Sequence, residues 1–271
     1  MIIVEPWGGL CNRVRVMKSA INLAKKIGQP VKVYWSVDSD LNSEFEQLFE
    51  KCDLVDLKNI HFSYDPRMIV GKKCSKMYIS QTVLDQFNKG NPDKMENEKF
   101  EKYILGFLDN PKNTVYIKTW NDFYRIGELG YAWLKPVPHL MKQIDDIAAK
   151  VGGNGIGIHI RRTDNAEAIS NSPTSLFIEK MEAEIAQNPE VKFYLATDDE
   201  GEKKKLIEHF GDKIVVNPQC HLSRNSNQGM ESAVIDLFCL ANTSKIYGSF
   251  NSSFSDEAAK IHGIEKIIVR K

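Results

Sequence analysis

Long apolar runs are missing from this chain: nothing in its 271 residues approaches the roughly 20-residue length of a membrane span. The opening Met1-Ile-Ile-Val-Glu-Pro-Trp-Gly8 shows no basic stretch followed by an apolar one, so no secretory leader is read there. Cysteine is scarce and scattered: Cys11, Cys52, Cys74, Cys220 and Cys239 form no Cys-x-x-Cys pair and no Cys/His cluster at zinc spacing. That excludes a disulfide scaffold, and reduced thiols in a soluble, cytoplasmic protein are the expectation. Net charge is lacking as well. The 36 basic residues balance 36 acidic ones, so no overall field recruits nucleic acid or an anionic membrane, and phosphate recognition has to be local. Aromatic residues reach 10% without a basic stripe beside them, which leaves no nucleic-acid footprint. Absent too are G-x-G-x-x-G, the Gly-Lys-Ser/Thr of a triphosphatase loop, the G-x-S-x-G elbow, a zinc helix and the kinase motifs.

What the chain does contain is alternation. Apolar runs of strand length recur at Ile2–Glu5, Val31–Trp35, Val115–Thr119, Gly155–Ile160, Lys192–Thr197, Lys213–Val216, Lys245–Ser249 and Lys266–Val269. Most are continuous, as when helices cover both faces of a parallel sheet. Helical patterns fill the intervals at Asn12–Ile27, Ser43–Lys51, His139–Val151, Pro173–Gln187, Glu200–Phe210, Met230–Ala241 and Ser253–His262. This is the pattern of a doubly wound α/β protein. From Asp53 to Asn113 the sequence is polar and irregular, with turns expected at Gly71–Lys73 and Gly90–Asp93. The stretch Gly127–Pro138, holding Gly130, Pro136 and Pro138, predicts a boundary between residues 1–135 and 136–271. Two α/β domains facing each other across a cleft are expected.

Four segments carry chemistry. Gly155-Ile-Gly-Ile-His-Ile-Arg-Arg-Thr-Asp164 is a buried strand that ends by delivering His159, Arg161, Arg162 and Asp164. Ligands of open α/β sheets bind beyond the carboxyl ends of strands. Adjacent arginines on extended chain point to opposite sides, so one can enter a site while the other pairs with a carboxylate such as Asp164. Guanidinium forks match diphosphate oxygens. The plainer alternative is a strand-end salt bridge. Trp7-Gly-Gly-Leu-Cys-Asn-Arg13 joins the first strand to a helix, and Gly8 and Gly9 let backbone approach a ligand at a helix N-terminus; a tight turn alone also explains it. Phe193-Tyr-Leu-Ala-Thr-Asp198-Asp199 is a further strand ending in carboxylates. Asp236 lies in an apolar helix and requires a polar partner. Phe250-Asn-Ser252-Ser253 then opens another helix, where Ser253 with Asp256 fits a capping box and Ser252 with free N–H groups suits a phosphate.

Taken in order, these segments resemble the α1,6-fucosyltransferase and NodZ-like group of the fucosyltransferase superfamily, and more distantly the α1,2- and protein O-fucosyltransferases. The resemblance covers residues 7–27 and 155–262. It implies a GT-B-like fold of two facing Rossmann-like domains with parallel sheets, the C-terminal one binding the nucleotide sugar. It also implies inverting, metal-independent transfer of fucose from GDP-fucose to a glycan hydroxyl, with no cofactor. Carried over by position, Arg161 holds the β-phosphate, and His159 and Asp236 contact guanosine. Arg162 and Asp164 shape the phosphate pocket, and Ser252 with the helix start at Ser253 binds phosphate. Asp198 and Asp199 match acidic residues of the family, and Gly8, Gly9 and Asn12 line the cleft from the acceptor-side domain. The absence of an anchor fits transient work at the cytoplasmic face of a membrane.

The chain departs from the α1,6 pattern where a lysine and a glutamate are expected: Asn165 and Ile169 stand there. Glu167, two residues short, is the candidate general base from the same loop; a solvated loop carboxylate is the plainer reading. Two other readings stay open: a different donor, with Mn²⁺ held by the D-x-D of Asp38 and Asp40, and a silent GDP- or sugar-phosphate-binding protein. The family's N-terminal domain has a similar Trp, loop and Phe-x-x-Leu-Phe, here Phe45-Glu-Gln-Leu-Phe49, so the resemblance favours a plain loop. Tyr124, Trp133 and Trp120-Asn121-Asp122 are candidates for an acceptor surface or for core packing.

Overall fold

The structure, a computed structural model, describes residues 1–61, 75–90, 94–125, 130–163, 165–223 and 225–271. The chain forms two compact units, Met1–Lys135 with Arg224–Asn227, and Pro136–Ser223 with Gln228–Lys271.

The first unit holds β1 (Ile2–Pro6), β2 (Val31–Ser36), β3 (Asp56–Ile60), β4 (Lys76–Ile79) and β5 (Thr114–Thr119). They form a parallel sheet in the order β3-β2-β1-β5-β4. β1 is paired on both edges and buried throughout, which is why it reads as a continuous apolar run. Its Glu5 carboxylate is buried and takes Lys118 at 2.7 Å, the Ser36 hydroxyl at 3.1 Å and the Tyr116 hydroxyl. A buried charge persists only with such partners. Burial, then this bond, pushes the Tyr116 hydroxyl far above its usual range. Helix α1 (Leu10–Ile27) lays Leu10, Val14, Met17 and Ile21 along one buried stripe. It stops at Gly28, whose φ of +64° is the left-handed geometry of a helix end, after Lys25 and Lys26 in the last turn.

The irregular Asp53–Asn113 region contains β3, β4 and two helices that the pattern did not show. β3 and β4 are the edge strands, short and partly exposed, so they lack the continuous apolar runs of central strands. The expected helix at Ser43–Lys51 is a single turn, α2 (Phe45–Leu48), closed by reciprocal Glu44 and Gln47 caps. Helices α3 (Gln81–Asn88) and α4 (Asn97–Leu108) follow β4. Gly90 turns the chain with φ +71°; the expected turn at Gly71–Lys73, residues 91–93 and residues 127–129 of the boundary stretch lie outside the described residues.

The second unit opens with α5 (Pro138–Val151), whose Pro138 occupies the first turn where its missing N–H costs nothing. Strands β6 (Ile156–Ile160), β7 (Phe193–Thr197), β8 (Ile214–Val215), β9 (Lys245–Ser249) and β10 (Glu265–Val269) pair in parallel in the order β10-β9-β6-β7-β8. Between them run α6 (Ala166–Asn171), α7 (Thr174–Gln187), α8 (Glu200–Phe210), α9 (Asn227–Ala241) and α10 (Ser253–His262). Ile156, Ile158 and Ile160 enter a core with Phe177 and Met181 of α7, Phe193 and Leu195 of β7, and Leu206 and Phe210 of α8. The alternate residues, Gly157 and His159, face the other way. A Cβ on Gly157 would lie 2.9 Å from Thr243 Oγ1 and 3.0 Å from Leu240 Cδ2, so only glycine lets the end of α9 close on β6. In both sheets the winding reverses at the central strand. The reversal opens a crevice beyond the carboxyl ends of β1 and β5 in one unit, and of β6 and β9 in the other.

Candidate functional site

The Arg161–Thr163 segment leaves β6 at that reversal and is gathered around one carboxylate. Asp198, just past β7, accepts the Arg162 N–H at 2.7 Å, the Thr163 N–H at 3.2 Å and the Thr163 hydroxyl at 2.5 Å. It also meets the Arg161 guanidinium at 2.9 Å, with both side chains 19% exposed. Burial works to raise the Asp198 pKa, but the Thr163 hydroxyl, the Arg161 charge and the two amides together hold it below the usual carboxylate range. The Arg161 N–H donates to Ser249 Oγ at 3.0 Å, tying the segment to the end of β9 as well. The guanidinium is thus held at the switch-point crevice by two neighbouring strands.

The two arginines have separate partners. Arg162 reaches the Ser172 carbonyl at 3.0 Å, Thr174 Oγ1 at 3.1 Å and Glu202 at 3.2 Å, and folds back on the Arg161 carbonyl. Among the described residues its carboxylate partner is Glu202; Asp164, expected as such a partner, lies outside them. Three bonds into the α6–α7 connection and α8 make Arg162 a brace, while the Arg161 guanidinium meets Asp198 at the end of β7. Asp199 caps α8 through the Glu202 N–H at 2.6 Å.

His159 and Asp236 are buried on the sheet face away from the Ile156, Ile158 and Ile160 core. His159 stacks on Phe254 with ring centroids 5.1 Å apart, and its Nδ1 is buried without a hydrogen-bond partner among the described residues. Burial first, then the Lys266 and Arg161 charges, pull its pKa down to about 3, so the ring is neutral at physiological pH and its orphaned nitrogen awaits a polar partner. Asp236 of α9 finds its partner in the Tyr194 hydroxyl at 2.5 Å. Burial raises the Asp236 carboxyl to about 7, against the opposing effects of that bond and of Lys203. Between its ordinary value of 3.8 and about 7 the folded chain keeps a proton that the unfolded chain releases, so this group lowers stability as pH rises through that window. Asp236→Asn keeps an oxygen for Tyr194 and removes the titration. Thermal melts at about pH 5 and about pH 8 should show a smaller alkaline loss in the variant; equal losses refute the assignment.

The start of α10 differs from the capping box expected at Ser253 and Asp256. The N-cap is Ser252, which makes no side-chain cap, and Asp256 instead pairs with Lys266 of β10. The helix geometry places Asp256 one residue too late to reach back. Ser252 is buried, and its carbonyl accepts from Lys266 at 3.4 Å. An uncapped helix start with a cation beside it is suited to an anion. Nearby, Asn251 adopts a left-handed φ of +49°. Its carbonyl accepts from Asn165 and its amide donates to Glu167 Oε2, both at 2.9 Å. Asn165 caps α6 through the Ala168 N–H at 3.0 Å, and Ile169 is exposed.

In the first unit Gly8, with φ +81°, and Gly9, the N-cap of α1, form the turn after β1. A Cβ on Gly8 would lie 2.7 Å from Asn12 Nδ2. Asn12 Oδ1 accepts from Arg15 at 2.5 Å. Arg13, fully buried, donates to the Gly8 and Ser36 carbonyls and meets Asp38 at 2.7 Å. Asp38 also accepts the Asp40 and Leu41 N–H groups. A cation at the D-x-D would have to displace a buried arginine, which favours the plain loop. Among the described residues no three His, Cys, Asp or Glu side chains are grouped to hold a metal ion, and no helix is long and apolar enough to cross a membrane. Tyr124 is core.

Sequence reasoning passed over Thr163, Glu202, Asn251 and Lys266. Glu202 alone had a signal, three residues after the N-cap Asp199. No protein-family model matches the sequence, and no match was found among curated proteins. Solved structures do match in fold. NodZ alpha-1,6-fucosyltransferase co-crystallized with GDP is 17% identical with a TM-score of 0.59, over 95% of this chain and 91% of that one. Fucosyltransferase NodZ from Bradyrhizobium is 16% identical with a TM-score of 0.58, over 95% and 92%. POFUT1 in complex with GDP-fucose is 11% identical with a TM-score of 0.60, over 99% and 97%. With its two parallel sheets, this chain has the fold of the GT-B-like fucosyltransferases.

Proposed function

We propose that this protein transfers fucose from GDP-fucose to a glycan hydroxyl, with inversion and without a metal ion. The observation that carries the reading is the Arg161 guanidinium, held at the sheet's switch point by Asp198 and, through its backbone, by Ser249. NodZ and POFUT1, which share the fold, have been crystallized with GDP or GDP-fucose. As the fucosyl–oxygen bond breaks, negative charge grows on the leaving diphosphate. Arg161 and the N–H groups opening α10 offer a fixed counter-charge there, which needs no reorganisation during the step. Ser252, next to those N–H groups, adds a hydroxyl donor. Neutral His159, with its orphaned nitrogen, and the Asp236–Tyr194 pair serve the guanosine end. Arg162, Asp199 and Glu202 hold the scaffold. Glu167, oriented by Asn251, takes the proton of the attacking acceptor hydroxyl. Gly8, Gly9 and Asn12 belong to the acceptor side.

Calorimetry with GDP, GDP-fucose, UDP and ADP tests the donor. Guanine nucleotides should bind and the other two should not, with affinity unchanged by EDTA. Binding to UDP in preference to GDP, or loss of GDP binding on chelation, would sink the proposal. GDP binding without release of fucose to any glycan acceptor would leave a silent binder instead.

A further inference from the structure

The first unit has a switch-point crevice of its own, and its furnishing is different. Trp7 follows β1 and Trp120 follows β5, the two strands between which the winding reverses. The Trp7 N–H donates to the Thr119 carbonyl at 2.9 Å, which holds the two strand ends in register. The indoles are 42% and 37% exposed, with centroids 5.1 Å apart and planes at 68°. In the same unit Trp35, Phe45, Phe100 and Tyr124 are fully buried, whereas Tyr78 and Tyr103 are exposed as the indoles are. Core packing therefore accounts for the four buried rings and not for the indole pair, which alone among the exposed rings named sits at the switch point. Beside the pair, Arg15 spans two amides: its Nη2 meets Asn12 Oδ1 at 2.5 Å and its Nη1 meets Asn121 Oδ1 at 3.4 Å. Its buried Nε has no hydrogen-bond partner among the described residues. With each amide oxygen turned to the guanidinium, each Nδ2 is left as a donor.

We propose that Trp7 and Trp120, with Asn12, Arg15 and Asn121, form an oligosaccharide-binding subsite. The inference rests on the glycosyl-transfer reading above, and it names where that reaction's acceptor is gripped. A pyranose ring is apolar on the face carrying its axial C–H bonds and ringed by hydroxyls. An exposed indole covers the first, and the amide and guanidinium donors match the second. Two indoles set at an angle cover more of such a ring than one flat face does. A nucleotide would also stack here, but the diphosphate donors belong to the other unit, so the occupant is the glycan.

The test uses the full-length protein on an array of oligosaccharides, with and without GDP, and calorimetry with GDP on the same samples. Wild type should retain a set of glycans. Trp7→Ala and Trp120→Ala should each weaken that retention by about 10-fold, and Trp120→Phe should restore part of it. GDP affinity and melting temperature should be unchanged, since both indoles are exposed. Retention equal in wild type and both alanine variants overturns the subsite, as does the absence of any retained glycan. A fall in GDP affinity in the variants overturns it too, by making the pair a nucleotide platform. Failure of wild type to bind GDP counts against the donor assignment alone, because glycan retention is read independently.

Discussion

Arg161→Ala is expected to weaken GDP binding by about 100-fold or more, and transfer from GDP-fucose by about 1,000-fold, while the chain stays folded. Each charge-assisted bond from a guanidinium to a phosphate oxygen contributes about 1.5–3 kcal/mol, and the fork can make two. The larger effect on transfer follows because the leaving diphosphate carries more charge in the transition state than in the ground state. The fold should survive because Asp198 keeps its bonds from the Arg162 N–H, the Thr163 N–H and the Thr163 hydroxyl. Arg161→Lys retains the charge and loses the fork, and should fall between the two. Calorimetry and single-turnover kinetics decide the matter. Near-wild-type GDP affinity in the alanine variant refutes the site.

Asp198→Ala should lose GDP binding to a similar degree, about 100-fold, but with a different signature: the melting temperature should fall by about 5–10 °C. This carboxylate does not touch the ligand in our reading. It positions Arg161, and it satisfies two backbone N–H groups that the alanine would leave without an acceptor, at about 1–3 kcal/mol each. The contrast between the two variants is the informative quantity. Arg161→Ala separates binding from stability, whereas Asp198→Ala joins them. Because Asp198 is held below its usual pKa, its contribution is complete above the ordinary carboxylate value and is lost as pH falls through the folded one. The stability gap between wild type and Asp198→Ala should therefore narrow in acid. A gap that persists unchanged in acid, or an alanine variant as stable as wild type at neutral pH, would overturn the positioning role.

Central elements were legible and peripheral ones were not, for one reason. β1, β6, β7 and β9 are paired on both edges and buried along nearly their whole length, so their residues are mostly apolar or small, and the eye finds them. β3, β4 and α6 are exposed on one side or very short, so polar residues such as Asp56 and Lys58 satisfy them as well as apolar ones do. The short α2 was overread because Phe45, Leu48 and Phe49 have helical spacing, whereas the chain turns out of the helix after one turn. The capping box at Ser253 failed similarly: Ser and Asp at a spacing of three fit a cap, but helix α10 begins one residue earlier than the pattern assumes.

By itself the sequence determined that the chain is α/β and that strands deliver His159, Arg161, Asp198 and Ser252 to one end of a sheet. Hydrophobic periodicity encodes which residues lie at strand ends, and that is a local property. Only the tertiary structure decided the division of labour there. It made Arg162 a brace to Glu202, made Asp198 the hub of the Arg161–Thr163 segment, and made Asp38 the partner of buried Arg13. It also brought Trp7 and Trp120 together across 113 positions of sequence. Pairings of this kind depend on strand order, and strand order is set by how whole elements pack, which no window of neighbouring residues records.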